Sequence, residues 1–236
     1  MIIAATGDIH SPIYYELFVK SLENLRVKPD LFLLAGDMID RGKIEEFDKV
    51  WNALFGKISC PIVACFGNNE YDELRETLKV KFPKIRFLDD QSIVFSIDTT
   101  SIGIFGSTGS LDQPTRWQKA HIPHIEKIYA SRILLAEKHL QRMASHLKIL
   151  LLHYAPTYKT LEGENPRIYG SLGCKAFEDV LIKQKPDLVI HGHSHRGLKK
   201  AWVDTVPVFN VALPLNKEIV IIDTEKDLKP GLSKFV

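Results

Sequence analysis

Asp8, His10, Asp37, Asn68, His153, His193 and His195 are side chains of the types that bind divalent metals, and each stands just beyond a short apolar run. Ile2-Ile3-Ala4-Ala5-Thr6 leads into Gly7-Asp8-Ile9-His10, and Leu31-Phe32-Leu33-Leu34-Ala35 into Gly36-Asp37. Ile62-Val63-Ala64-Cys65-Phe66 leads into Gly67-Asn68-Asn69-Glu70. Ile149-Leu150-Leu151-Leu152 leads into His153, and Leu188-Val189-Ile190 into His191-Gly192-His193-Ser194-His195. Carboxylates, imidazoles and one amide, with no thiol among them, make a mixed oxygen and nitrogen donor set suited to divalent ions. These ligands are too many for one tetrahedral ion and fit two ions that share a carboxylate.

Short, solidly apolar runs have the pattern of strands buried on both faces. In an α/β sheet, sites collect beyond the carboxyl ends of such strands, so the seven residues are expected on one rim. Asp8 and His10, like His193 and His195, are two apart, which at an extended strand end puts both side chains on one face. Taken singly, each block also reads as an Asx turn, a cap or a polar strand end. The ordered set, each block after an apolar run, carries the metal reading.

The elements that must position these residues alternate along the chain. Helices are expected over 14–25, 43–55, 71–81, about 122–146 and 174–185. The runs 92–97 and 101–105, separated by Asp98-Thr99-Thr100, read as an antiparallel hairpin. Runs at 201–203, 206–210 and 218–223 read as further meander. An α/β start with β-rich insertions predicts two sheets packed face to face and covered by helices. Lys28-Pro29-Asp30-Leu31 and Lys185-Pro186-Asp187-Leu188 echo one another. Either two similar βαβ halves or the shared grammar of α/β chains accounts for the echo, and we favour the second.

Composition narrows the class. The 236 residues are enough for one large α/β domain, read here as a single domain over 1–236. A formal net charge of +2 offers no global basic field for nucleic acid. Cys60, Cys65 and Cys174 lack metal-site spacing and read as packing residues in a reducing compartment. Met1 leads directly into the first strand, and no apolar run is long enough to span a membrane, so the expectation is a soluble cytoplasmic protein. Nothing in the sequence signals an oligomeric state.

Asp8-Ile9-His10, Gly36-Asp37, Gly67-Asn68-Asn69-Glu70, His153 and Gly192-His193-Ser194-His195 together resemble the motif set of the calcineurin-like metallophosphoesterases: D-x-H, G-D, G-N-H-[DE], a later His and G-H-x-H. The resemblance spans Ile2 to about Arg196. It implies a four-layer αββα sandwich of two mixed sheets flanked by helices. It also implies two divalent ions, manganese foremost, with nickel, cobalt, iron or zinc as alternatives. One ion takes Asp8, His10 and His195, the other Asn68, His153 and His193, and Asp37 bridges them. The implied activity is hydrolysis of small phosphoesters, diesters above monoesters, by a metal-bridging hydroxide attacking in line at phosphorus. Asp37, Asn68, Asn69 and His153 are the implied catalytic positions, with Asn69, Arg41 and Arg196 as the implied substrate contacts.

Asn69 is the departure: the family usually has a His there, able to protonate the leaving oxygen, which an amide cannot do. A general acid is worth typically about 10²–10⁴-fold on poor leaving groups. Asn69 therefore points to diesters or to leaving groups that depart unaided, and away from the protein phosphatase and nuclease branches.

Gly36-Asp37-Met38-Ile39-Asp40-Arg41-Gly42 resembles the G-D-x-x-D-R-G of the phosphatase branch. Asp40 reads either as a support for an acid now absent or as a loop or capping residue. Arg41 reads as a phosphate contact or a solvated loop charge, and Arg196 faces substrate or solvent. His191 reads as packed behind the ligands, and His121, His124, His139 and His146 as surface residues. Two loops could set specificity: 106–117, with Arg116 and Trp117, and 154–173, with Tyr158, Arg167 and Tyr169. The competing class is a catalytically weak scaffold of the same fold that binds protein partners.

Overall fold

The computed structural model describes residues 1–229. The chain starts with β1 (Ile2–Thr6), α1 (Tyr15–Glu23), β2 (Leu31–Ala35), α2 (Ile44–Leu54), β3 (Ile62–Cys65), α3 (Asp72–Lys81) and β4 (Ile85–Leu88). The hairpin β5 (Gln91–Ile97) and β6 (Thr100–Ser107) follows, then α4 (Arg116–His121), α5 (Ile125–Arg142) and β7 (Leu147–Leu152). The last third holds α6 (Phe177–Gln184), β8 (Leu188–His191), β9 (Lys200–Val203), β10 (Val206–Asn210), α7 (Leu213–Asn216) and β11 (Val220–Asp223).

The strands form two mixed sheets, one ordered β11-β1-β2-β3-β4 and the other β5-β6-β7-β8-β10-β9. β1 to β4 run parallel and β11 closes that sheet antiparallel to β1. In the other, β6, β7, β8 and β10 are parallel between antiparallel edges.

Period-two alternation sorts each strand's side chains into two layers. Ile3 and Ala5 of β1, with Leu31, Leu33 and Ala35 of β2, meet Ile102, Ile104, Ile149, Leu151 and Ile190 between the sheets. Ala4, Phe32 and Leu34 face the other way, onto Phe18, Phe47, Val50, Leu54 and Leu78 of α1 to α3. On the far side, Phe105, Leu150, Leu152 and Val189 pack against Ala136, Leu140, Phe177 and Leu181 of α5 and α6. Helix, sheet, sheet and helix make the four-layer αββα sandwich. This layering also explains the unalternating apolar runs, since both faces of the central strands are covered.

Several expected boundaries move. The long helix read over 122–146 is broken at its start: α4 ends before Ile122, which is extended, and His124 takes a left-handed φ of 59° before α5. Pro123 is the reason, because its ring excludes helical backbone at the preceding residue. The helix expected from Cys174 begins at Phe177. β4 escapes notice in the sequence because Ile85-Arg86-Phe87-Leu88 is short and buries only its two ends. No helix among the described residues is long and apolar enough to cross a membrane.

Candidate metal centre

The backbone pairing of β1 with β2 does not stop where the strands end. Asp8 N–H donates to the Gly36 carbonyl at 3.0 Å, His10 N–H to that of Asp37 at 2.9 Å and Ser11 N–H to that of Met38 at 3.0 Å. The two strand-end loops therefore run side by side and bring their carboxylates together. Turning the chain so sharply puts Asp8, His10, Asp37 and His193 at φ values of 57°, 42°, 55° and 68°. Positive φ is uncommon for residues other than glycine and is concentrated at sites where the surroundings hold it in place. Close approach needs glycine at two points: a Cβ on Gly67 would collide with the Asp37 carboxylate, and one on Gly192 with Asp8 Oδ2.

Two clusters result. Asp8, Asp37, His153 and His193 present ligand atoms within 4.8 Å of one another, as do Asp8, His10 and His195. Asp8 Oδ1 lies 3.2 Å from His195 Nε2 and 3.7 Å from His10 Nε2. Asp37 Oδ2 lies 3.7 Å from His10 Nε2 and 3.5 Å from His153 Nε2, between the two sets of imidazoles. Asn68 Oδ1 joins the second set, 3.1 Å from His153 Nε2. All seven residues named from the sequence are thus gathered at the carboxyl ends of the strands.

The donor set fits divalent cations. Asp8, Asp37 and His153 are buried, and their facing atoms are oxygens and imidazole nitrogens rather than thiols. The His153 ring is oriented for a ligand role: its Nδ1–H donates to the Ala35 carbonyl at 2.9 Å, which leaves Nε2 facing the cluster. His193 is tied in through its backbone, whose N–H donates to Asp8 Oδ2 at 2.8 Å.

Charge is distributed unevenly across the cluster. Burial presses the Asp8 carboxyl upward, but the nearby His10, the bond from His195 and the nearness of His153 outweigh it, holding the group well below the usual carboxylate range. Burial works against charge on His10 too, yet Asp8, Asp37 and Glu70 win and raise it to about 9. At His193 burial, with His153 adding, outweighs the pull of Asp8 and pushes it down to about 3. His191 is driven to about 4 by burial. Its Nδ1 pairs with the Gly192 carbonyl and its Nε2 with Thr160 Oγ1, a packed role behind the ligands as the sequence suggested.

One residue given no role in the sequence reading organises half of the site. Glu70 is buried, and its carboxylate accepts from the backbone N–H groups of Asp37, Met38, Ile39 and Gly67 at 2.9, 2.7, 3.2 and 2.8 Å. Its place at the end of a Gly-Asn-Asn turn, where strand amides lose their partners, is the signal that could have found it. Asn69 turns back onto the same loops: its Nδ2 donates to Asp37 Oδ2 at 2.6 Å, and its Oδ1 accepts from Arg41 N–H at 3.0 Å. Tyr14, also unassigned, sets its ring edge-on to His10 and His195 with centroids 6.5 Å away.

The second-tier residues scatter. Arg41 leaves its side chain 82% exposed, and Asp40 pairs with Lys43 at 3.1 Å rather than capping α2, whose N-terminal cap is Lys43. Arg196 is exposed, and its backbone N–H donates to Glu164 Oε1 at 2.8 Å. Tyr158 packs edge-on to Tyr169 and donates to Asp112 at 2.7 Å, a loop-holding role. The Gly-rich stretch after β6 ties itself down, with Ser107 Oγ donating to Asp90 and accepting from Gly109 N–H. His121, read as a surface residue, lines a cavity that adjoins the ligand cluster.

Known proteins share the family and the fold. The calcineurin-like phosphoesterase family matches residues 1–197. A probable glycerophosphodiester phosphodiesterase, GpdQ, of Arcobacter nitrofigilis is 25% identical over 224 residues, covering 94% of this chain and 75% of that protein. Among solved structures, the phosphopantetheinyl hydrolase of Mycobacterium tuberculosis superposes with a TM-score of 0.69 at 13% identity, over 97% of this chain and 98% of that one. A protein of Thermus thermophilus does so with a TM-score of 0.58 at 17% identity, over 94% and 98%. The last two similarities speak for the fold alone. With most of its length matched by the family and the ligand motifs gathered on one rim, the chain belongs to the calcineurin-like phosphoesterases.

Proposed function

We propose that this phosphoesterase is a dinuclear metal-dependent phosphodiesterase. The observation that carries the reading is the position of Asp37 Oδ2 between His10 and His153, 3.7 and 3.5 Å from their Nε2 atoms. Asp8, His10 and His195 would hold one ion, Asn68, His153 and His193 the other, and Asp37 both. When bound, two such ions acidify water and neutralise charge on a phosphate undergoing in-line displacement.

The chain's own residues do the rest. Glu70 fixes the Asp37 loop, and the His153–Ala35 bond keeps Nε2 pointing inward. Asn69 anchors Asp37 through a hydrogen bond and has no proton to give a leaving group. That supports diesters and good leaving groups over poor alkoxides. The likeness to a probable glycerophosphodiester phosphodiesterase supports the same choice. Imidazole-rich sites favour manganese, cobalt or nickel over magnesium.

The test is stoichiometry followed by turnover. Metal-saturated protein should carry about two divalent ions per chain. Chelation should abolish hydrolysis of bis-p-nitrophenyl phosphate, and manganese, cobalt or nickel should restore it better than magnesium. One ion or none at saturation removes the dinuclear reading, and monoester cleavage without diester cleavage removes the diester preference.

A further inference from the structure

The ligand cluster opens into a cavity of about 650 Å³, the size of a small-molecule pocket. Asn68, Asn69 and His193 line part of it. Leu111, Ile122, Ile125, Ile128 and Tyr129 give it an apolar wall. Ile125, Ile128 and Tyr129 fall at positions i, i+3 and i+4 of α5, so one helix face supplies most of this wall. Leu111, Ile125, Tyr129 and Tyr154 form a cluster of their own, apart from the three layers of the sandwich core. The sandwich is therefore closed without them, and their apolar surface borders the cavity.

Charge at the wall points the same way. Arg75 and Arg132 both line the cavity, and both are already paired. Arg75 meets Asp89 and Asp72 at 2.8 Å each, and Arg132 meets Asp90 at 3.1 Å. A second anionic group entering beside the reacting phosphate would find these cations neutralised. Gln118 donates to Tyr154 Oη at 3.3 Å, so these polar groups also satisfy one another. Trp117, 60% exposed, stacks on His121 with centroids 4.8 Å apart, a flat aromatic platform where the cavity meets solvent.

We infer that this cavity is a specificity subsite for an uncharged apolar ester group, an alkyl chain or an aromatic ring, on a diester whose phosphate lies at Asn68, Asn69 and His193. The inference rests on the diesterase reading above. It deepens that reading by naming the second substituent the substrate carries.

The experiment compares p-nitrophenyl methyl, butyl and octyl phosphates on the manganese-loaded protein. Each methylene that enters the cavity should raise kcat/KM about fourfold, so burial of about three of the seven methylenes added from methyl to octyl gives roughly 60-fold, mostly through KM. Ile128→Ser, on a half-buried wall position, should cut the octyl-to-methyl ratio at least about fivefold. A second readout does not need turnover. The fluorescence of Trp117, taken as the difference from Trp117→Phe, should shift with octylphosphonate at concentrations where methylphosphonate has no effect. Equal rates along the series without a fluorescence shift overturn the subsite and leave the diesterase reading standing. A preference for a diester with a charged second substituent, such as p-nitrophenyl 3-carboxypropyl phosphate, overturns it as well. Failure to cleave any of these diesters, with p-nitrophenyl phosphate cleaved, overturns the diesterase reading itself.

Discussion

The two sheets deliver ligands to the same centre by different means. The loops after β1, β2 and β3 are short and bent hard, with Asp8, His10, Asp37 and Arg41 all at positive φ. The last two are held from within by one buried carboxylate, Glu70, which accepts four backbone N–H groups, and the first pairs its own N–H groups with carbonyls of the loop after β2. Of the loops after β6, β7 and β8 only the one after β7 is long, and among the proposed ligands they carry only His193 is at positive φ. The loop after β8 is latched by side chains from other segments. Glu164 accepts from Ser194 Oγ at 3.1 Å and from Arg196 N–H at 2.8 Å, and Asn210 Nδ2 donates to the Ser194 carbonyl at 2.8 Å. These loops, with α4 and α5, also contribute most of the cavity wall. Strained, internally stapled backbone fixes the carboxylates, and backbone latched by side chains shapes the pocket.

The largest effect should come from the bridge. Asp37→Asn is expected to lower kcat/KM by roughly 10³-fold or more, the scale felt when transition-state charge stabilisation is removed. His10→Ala should lose activity in part and regain it as manganese is raised. The comparison is kcat/KM across a metal titration, and equal losses at saturating metal would count against Asp37 as the shared ligand.

The staple and the latch can be set against each other directly. Glu70→Ala leaves four buried N–H groups without their acceptor, and should cost about 3–5 kcal/mol. In a chain of this size that is a fall in Tm of about 10 °C, read on metal-free protein so that lost metal does not contribute. Glu164→Ala removes two hydrogen bonds nearer the surface and should cost only about 1–2 kcal/mol, a shift of a few degrees. Similar losses in the two variants would erase the contrast between the halves.

Asn69→His sharpens the same contrast on the catalytic side. The variant gains a titratable group beside Asp37 and gives up the amide bond to Asp37 Oδ2. On alkyl diesters with poor leaving groups it is expected to gain about 10-fold in kcat/KM, while p-nitrophenyl esters change little. An unchanged alkyl rate at unchanged metal content means that another residue supplies the proton or that position 69 does not face the leaving oxygen. Asp40 is not expected to help orient the new imidazole, because it pairs with Lys43.

Much of this protein can be read from the order of its letters. A ligand is first a side-chain chemistry, so Asp8, His10, Asp37, Asn68, His153, His193 and His195 can be named before any fold is known. An apolar run ending in glycine is enough to say that they stand at strand ends. The layering follows from the same runs, because strands covered on both faces cannot show alternation. What the letters do not contain is who meets whom across long stretches of chain. Glu70 matters because β2 and β3 lie side by side and carry their loops to one carboxylate, and nothing in the local sequence says where that carboxylate points. Arg41 belongs to a suggestive motif, yet its left-handed backbone leaves its side chain in solvent. The cavity is further still from local pattern. Leu111, Ile125 and Tyr154 are ordinary apolar letters in three separate segments. They become a wall only when Pro123 breaks the helix and α5 is laid against the outer face of the second sheet, since a surface between elements depends on distances that propensity and period do not encode.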